Sequence, residues 1–195
     1  MTSVSVARFA QIEPVLWKNG LGKTTQLAVH PQGSGSDDFE WRVSIARLDA
    51  SAPFSRFDGV DRCLAVLQGE MSLRGLPGVE SMTPRSTPLH FSGTEAVEGQ
   101  VIRGPVLDLN VMYKAKGWYA TMRRVRWPSV TAVTLSDSQL LCSLSDRIDI
   151  TVTGEKMQLA LFDLLSARAP VEVQVGGSGA VEVYVIEIHR RQASG

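Results

Sequence analysis

The sequence predicts an all-β protein. Alternation of apolar and polar residues with a period of two recurs along most of the chain. Turn-forming clusters such as Gln32-Gly33-Ser34-Gly35-Ser36, Gly75-Leu76-Pro77-Gly78, Pro84 to Pro88 and Val175-Gly176-Gly177-Ser178-Gly179 interrupt that alternation at short intervals. No apolar face of helical period continues beyond a few turns. Many short strands with few helices point to a sandwich, jelly roll or barrel, not to a parallel sheet crossed by helices.

In chain order, the first informative segment is Leu16-Trp17-Lys18-Asn19-Gly20-Leu21-Gly22-Lys23-Thr24-Thr25, ahead of the strand-like run Gln26 to His30. Glycines, an amide, hydroxyls and a tryptophan in a turn suit a ligand-holding loop, or equally a solvated turn whose Trp caps the core. A phosphate-cradling P-loop is excluded, because Trp17 stands where that motif needs its first glycine. Strands are expected over Trp41 to Leu48, Cys63 to Leu67, Val97 to Arg103, Leu107 to Tyr113 and Trp118 to Val125. Further on they are expected over Arg147 to Thr153, Met157 to Leu161, Val171 to Val175 and Val181 to His189, with Ser136 to Leu144 left open.

Alternation sorts the polar residues by face. In Trp41 to Ala46, Arg42 and Ser44 look the same way, and in Asp108 to Met112 so do Asp108, Asn110 and Met112. A barrel with one face turned inward would gather these groups into a pocket, where Arg grips a carboxylate bidentately and Asn both donates and accepts. Half-solvated antiparallel strands alternate in the same way without any pocket. Between these strands, Phe54 and Phe57 are expected to plug one end of the core. Of the adjacent pair Asp61 and Arg62, which must face opposite ways, Arg62 is assigned to the pocket.

Val106 to Tyr113 aligns without gaps to Ala180 to Glu187, a weak echo that suggests duplication with a boundary near Lys114 to Trp118. Two halves are therefore expected, 1–115 and 116–195, forming one compact unit. Twenty basic and twenty acidic residues cancel, so neither nucleic acid nor a membrane surface is an expected partner. No apolar run approaches the roughly 20 residues of a membrane helix, and no signal-peptide layout is seen, so the cytoplasm is the expected location. Cys63 and Cys142 read as buried thiols. His30, His90 and His189 are isolated, so no metal and no cofactor is expected, and no Gly-x-Ser-x-Gly elbow presents a nucleophile.

The blocks Trp17-Lys18-Asn19-Gly20-x-Gly22-x-Thr24, Phe39-x-Trp41-Arg42-Val43-Ser44-Ile45-Ala46, Pro53-Phe54-Ser55-x-Phe57-x-Gly59-x-Asp61-Arg62, Phe91-x-Gly93 and Gly104-Pro105-x-x-Asp108-x-Asn110-x-Met112 resemble, in this order, the HutD/Ves family. The resemblance implies cupin-type β-barrels in a bicupin arrangement. It also implies a bacterial role in histidine utilisation or stress response, with members that look like small-molecule-binding proteins without a settled enzymatic activity. The expected protein is then a metal-independent cupin that binds a small anionic metabolite, such as formylglutamate or urocanate, as a sensor or regulator. Its expected ligand-binding residues are Trp17, Asn19, Thr24, Arg42, Ser44, Arg62, Asp108 and Asn110. The alternatives are a metal-free isomerase or hydrolase acting on a similar acid, with Asp108 as base, and a structural module that forms a homodimer.

Overall fold

The computed structural model describes residues 4–17, 19–35, 38–78 and 81–191. Its strands are β1 (Val4–Ala7), β2 (Val15–Leu16), β3 (Gly22–His30), β4 (Trp41–Leu48), β5 (Ala52–Pro53), β6 (Val60–Arg74), β7 (Leu89–Ser92) and β8 (Glu98–Lys114). They continue as β9 (Trp118–Trp127), β10 (Val130–Leu135), β11 (Gln139–Ser143), β12 (Arg147–Val152), β13 (Glu155–Ala160), β14 (Leu164–Ala167), β15 (Val171–Gly176) and β16 (Val181–Arg190). One 3-10 turn, Phe9–Gln11, is the only helical element among the described residues, so none there is long and apolar enough to cross a membrane. The stretch Ser136 to Leu144 resolves as strand β11 with its flanking turns.

The chain divides into two compact units. The first contains Met1–Ile12 and Thr121–His189. In it, a five-stranded sheet runs β1-β14-β11-β16-β9 and a four-stranded sheet runs β10-β15-β12-β13. Alternate residues of both sheets, among them Leu141, Ile148, Ile150, Leu165, Val173, Val175, Val183 and Val185, form one apolar cluster, as period-two patterning requires. Asp163 pins the N-terminal strand to this unit. Its carboxylate accepts from the Phe9 N–H at 3.0 Å, the Ala160 N–H at 3.0 Å and the Arg8 guanidinium at 2.7 Å.

The second unit contains Glu13–Ala120 and Arg190–Gly195. Its seven-stranded sheet runs β2-β3-β4-β8-β6-β7, with β5 paired to β8. The separate strands expected over 97–103 and 107–113 are one continuous strand, β8, because β6 pairs with it along nearly its whole length. Register shifts between Val66 and Met71 let β6 bend there without breaking the ladder. One face of this sheet carries Ala46, Leu48, Leu64, Val66 and Val106 in an apolar cluster with Phe54, Met71, Leu73 and Val97, and is its inner face. The opposite face, with Val43, Ile45, Cys63, Leu109 and Val111, is equally buried. A sheet buried on both faces has no solvated side for ordinary polar residues, so the polar groups on its inner face stand out.

Candidate functional site

Pairing registers stack the polar groups of the second unit in layers. In the outermost layer Arg42 on β4 and Arg62 on β6 both lie opposite Met112 on β8, with Phe91 of β7 beyond Arg62. Two residues deeper, Ser44 and Leu64 flank Asn110. Deeper again, Thr24 of β3 lies beside Ala46, which neighbours Asp108, with Val66 on its other side. Paired residues share a face, so all of these side chains point inward. Most of the stack is buried. Arg42 is half-buried, Ser44, Arg62 and Asn110 are 3–7% exposed, and Asp108 is 0% exposed.

Phenylalanines hold the two guanidinium groups. The Arg62 head lies 5.6 Å from the Phe54 ring, 5.4 Å from Phe57 and 5.9 Å from Phe91, and donates to the Ser55 carbonyl. The Arg42 head lies 4.9 Å from Phe39 and 5.8 Å from Phe57, and contacts the Met112 sulfur at 3.1 Å. Phe57 thus serves both cations, and ring faces stabilise desolvated guanidinium groups electrostatically. Phe54 and Phe57, expected only to plug one end of the core, also face these cations. Phe39 and Phe91 complete the clamp, and their parts in it depend on which segments are packed together.

Electrostatics sets this stack apart from a structural ion pair. Burial pulls Arg62 down to about 10, with Asp108 opposing and the neighbouring Arg42 adding to the fall. Burial pushes the Asp108 carboxyl up to about 7, and Arg62 only partly restrains it. Both Asp108 oxygens, the Asn110 Oδ1 and the Arg62 Nε are buried without a hydrogen-bond partner. Buried polar atoms are overwhelmingly paired in native proteins, so four such atoms gathered on one face call for an explanation.

The glycine-rich segment closes this end of the sheet as a hairpin between β2 and β3. Trp17 and Gly22 meet through backbone bonding, and Gly20 adopts φ +70°, which suits a residue without Cβ. A Cβ on Gly22 would lie 2.8 Å from the Arg47 carbonyl and 3.0 Å from the Trp17 ring, so only glycine lets the indole settle there. The Trp17 Nε1–H donates to the Thr24 Oγ1 at 2.8 Å and its ring meets Phe54 edge-on, bringing loop and deepest layer together. Asn19 is exposed at the hairpin tip, where its Oδ1 accepts from the Leu21 N–H at 3.0 Å. Of the expected ligand-binding set, Thr24, Arg42, Ser44, Arg62, Asp108 and Asn110 therefore share the inner face. Trp17 covers it, and Asn19 stands apart as a turn residue.

Elsewhere, strand pairing sets Cys63 opposite His90, with Sγ 3.3 Å from Nε2, a neighbour that the sequence spacing did not suggest. Burial pushes the Cys63 thiol up to about 12, so it stays protonated. Cys142 is pushed to about 12 by burial and by Asp163. Among the described residues no three His, Cys, Asp or Glu side chains gather as metal ligands. The inner face instead gathers the donors of two guanidinium groups over the acceptors of Asn110 and Asp108.

A family model described as HutD matches residues 9–185. An uncharacterized 21.2 kDa protein in the hutC 3′ region of Pseudomonas putida is 30% identical over 171 residues, 85% of this chain and 87% of that one. Protein Ves of Citrobacter koseri is 34% identical over 110 residues, 55% of this chain and 56% of its own. Among solved structures, a conserved protein of unknown function from Pseudomonas aeruginosa PAO1 superposes with TM-score 0.83 at 28% identity, covering 96% of this chain and 99% of that one. HutD from Pseudomonas fluorescens SBW25 superposes with TM-score 0.76 at 29% identity, covering 97% and 100%. A cupin 2 conserved barrel domain protein from Leptotrichia buccalis, 9% identical, superposes with TM-score 0.63 over 94% and 100% of the two chains, a likeness of fold alone.

Proposed function

The chain belongs to the HutD family and has an all-β, cupin-like fold, and from that premise we propose that it is a metal-independent receptor for a small anionic metabolite. The observation that carries this reading is the inner-face stack, in which Arg42 and Arg62 converge above buried polar atoms of Asn110 and Asp108 that lack partners. Two guanidinium groups held by aromatic rings are fitted to take a carboxylate bidentately in a desolvated setting. The family name and the hutC 3′ region of a relative support a role in histidine utilisation, as a cytoplasmic sensor or regulator. Formylglutamate and urocanate are the natural first ligands to try. The bicupin reading is supported by the two units and by the sequence echo, whose copies lie on β8 and β16, each an inner strand of its sheet.

Isothermal titration of the purified protein with formylglutamate, urocanate and glutamate tests the proposal. Heat with at least one acid, lost in Arg62→Ala, is the expected result. Silence with all three would remove the receptor reading. A second reading, metal-free isomerase or hydrolase chemistry on the same kind of acid, is favoured by Asp108 alone, because a buried carboxyl near 7 is poised as a general base. Turnover in the presence of a chelator, abolished in Asp108→Asn while binding persists, would establish it.

A further inference from the structure

The orphaned atoms are not evenly distributed, and their order from the outer to the deepest layer carries information about the ligand. The outer layer has donors in excess. It brings two guanidinium groups, of which Arg62 gives one nitrogen to the Ser55 carbonyl and keeps Nε unpartnered. The inner layers have acceptors in excess, since both Asp108 oxygens and the Asn110 Oδ1 lack any donor. Apolar Ala46 and Val66 beside Asp108 and Leu64 beside Asn110 offer none, and the Ser44 hydroxyl on the other side of Asn110 makes no bond to its Oδ1. The Thr24 hydroxyl in the deepest layer already accepts from Trp17. A simple anion, a carboxylate and nothing more, would satisfy the outer layer and leave the floor as it is.

Resting on the receptor reading above, we propose that the site is built for a two-ended ligand. It would be a small carboxylic acid that places its carboxylate at the arginine layer and an N–H or O–H donor against the Asn110 Oδ1, above Asp108. Asn110 lies one layer below the arginines, roughly 7 Å along the strand, which sets the spacing between the two ends, and Asp108 lies a further layer, again roughly 7 Å, down. Asn110 then selects ligands, because a site that hydrogen-bonds a donor rejects the analogue without it by leaving its own buried acceptor unpaired. Acids that carry an amide, imidazole, amine or hydroxyl at that distance belong to the class, and plain alkyl or aryl acids do not.

The experiment compares matched acids on the intact protein by isothermal titration. One pair is imidazolepropionate and phenylpropionate, and the other is γ-hydroxybutyrate and its O-methyl ether. We expect the donor-bearing member of at least one pair to bind about tenfold or more tightly than its partner. That ratio should fall towards one in Asn110→Leu, which keeps the branching at Cγ and removes the unpartnered acceptor. The wild-type comparison stands by itself if this variant does not fold, as a thermal melt would reveal. Equal affinity within both pairs would overturn the two-ended proposal while leaving the anion site intact. Undetectable binding of all four acids would overturn the proposal together with the reading beneath it.

Discussion

Replacing Asp108 by Asn tests whether the floor of the site holds a carboxyl that folding forces towards its neutral form. The side chain is wholly buried, its neighbours across the ladder are Ala46 and Val66, and Arg62 on β6 and Arg42 on β4 are the charged groups of its face, both in the outer layer. Burial raises the carboxyl from 3.8 to about 7. The folded state therefore binds this proton more tightly than the unfolded chain. Its contribution to stability is complete below the unfolded value near 4 and is lost as pH rises to about 7. A rise of roughly three pH units at about 1.4 kcal/mol each corresponds to about 4 kcal/mol in all. Of this, about 2–3 kcal/mol falls between pH 5 and pH 8. Asn is close in shape and does not titrate. Urea unfolding followed by circular dichroism at both pH values should find Asp108→Asn gaining about 2–3 kcal/mol on the wild type between pH 5 and pH 8. Comparison with the variant cancels the other carboxylates. A difference that stays constant across this range would refute the argument that Asp108 is desolvated and only partly compensated.

Three further outcomes are expected. Trp17→Phe and Thr24→Val each remove the indole-to-hydroxyl bond at 2.8 Å and should each cost about 1 kcal/mol in thermal or urea unfolding, with the double variant costing less than their sum. Asp163→Ala, which strips the acceptor shared by Phe9, Ala160 and Arg8, should destabilise the protein by about 2–4 kcal/mol, read as a lowered urea midpoint. Cys63 should not react with a thiol reagent at pH 8 until the protein is unfolded, since its thiol is buried and pushed up to about 12; rapid labelling of the native protein, followed by mass spectrometry, would contradict this.

Much of this protein is legible in one dimension because strands write their geometry locally. Period-two alternation put Arg42 with Ser44, and Asp108 with Asn110 and Met112, on common faces, and the pairing registers agree. The same rule separated Asp61 from Arg62. Where strand boundaries were misread, as in the division of β8, alternation was interrupted at Gly104-Pro105 and only the partner strand β6 shows that the ladder continues. The stretch left open around residue 140 became β11 because two neighbours, β14 and β16, pair with it.

The sequence by itself determined the strand-rich class, which polar residues of one strand share a face, and the family, since these depend on neighbours within a few residues or on motif blocks. Only the tertiary structure decided that Arg42 and Arg62, twenty positions apart in the chain, both lie opposite Met112 under a shared Phe57. It alone set His90 against Cys63, left Asn19 outside the stack and drained Asp108 of solvent. The reason is physical. Facing is a property of backbone period, whereas adjacency between strands and the loss of water that shifts a carboxyl depend on which distant segments hydrogen-bond side by side.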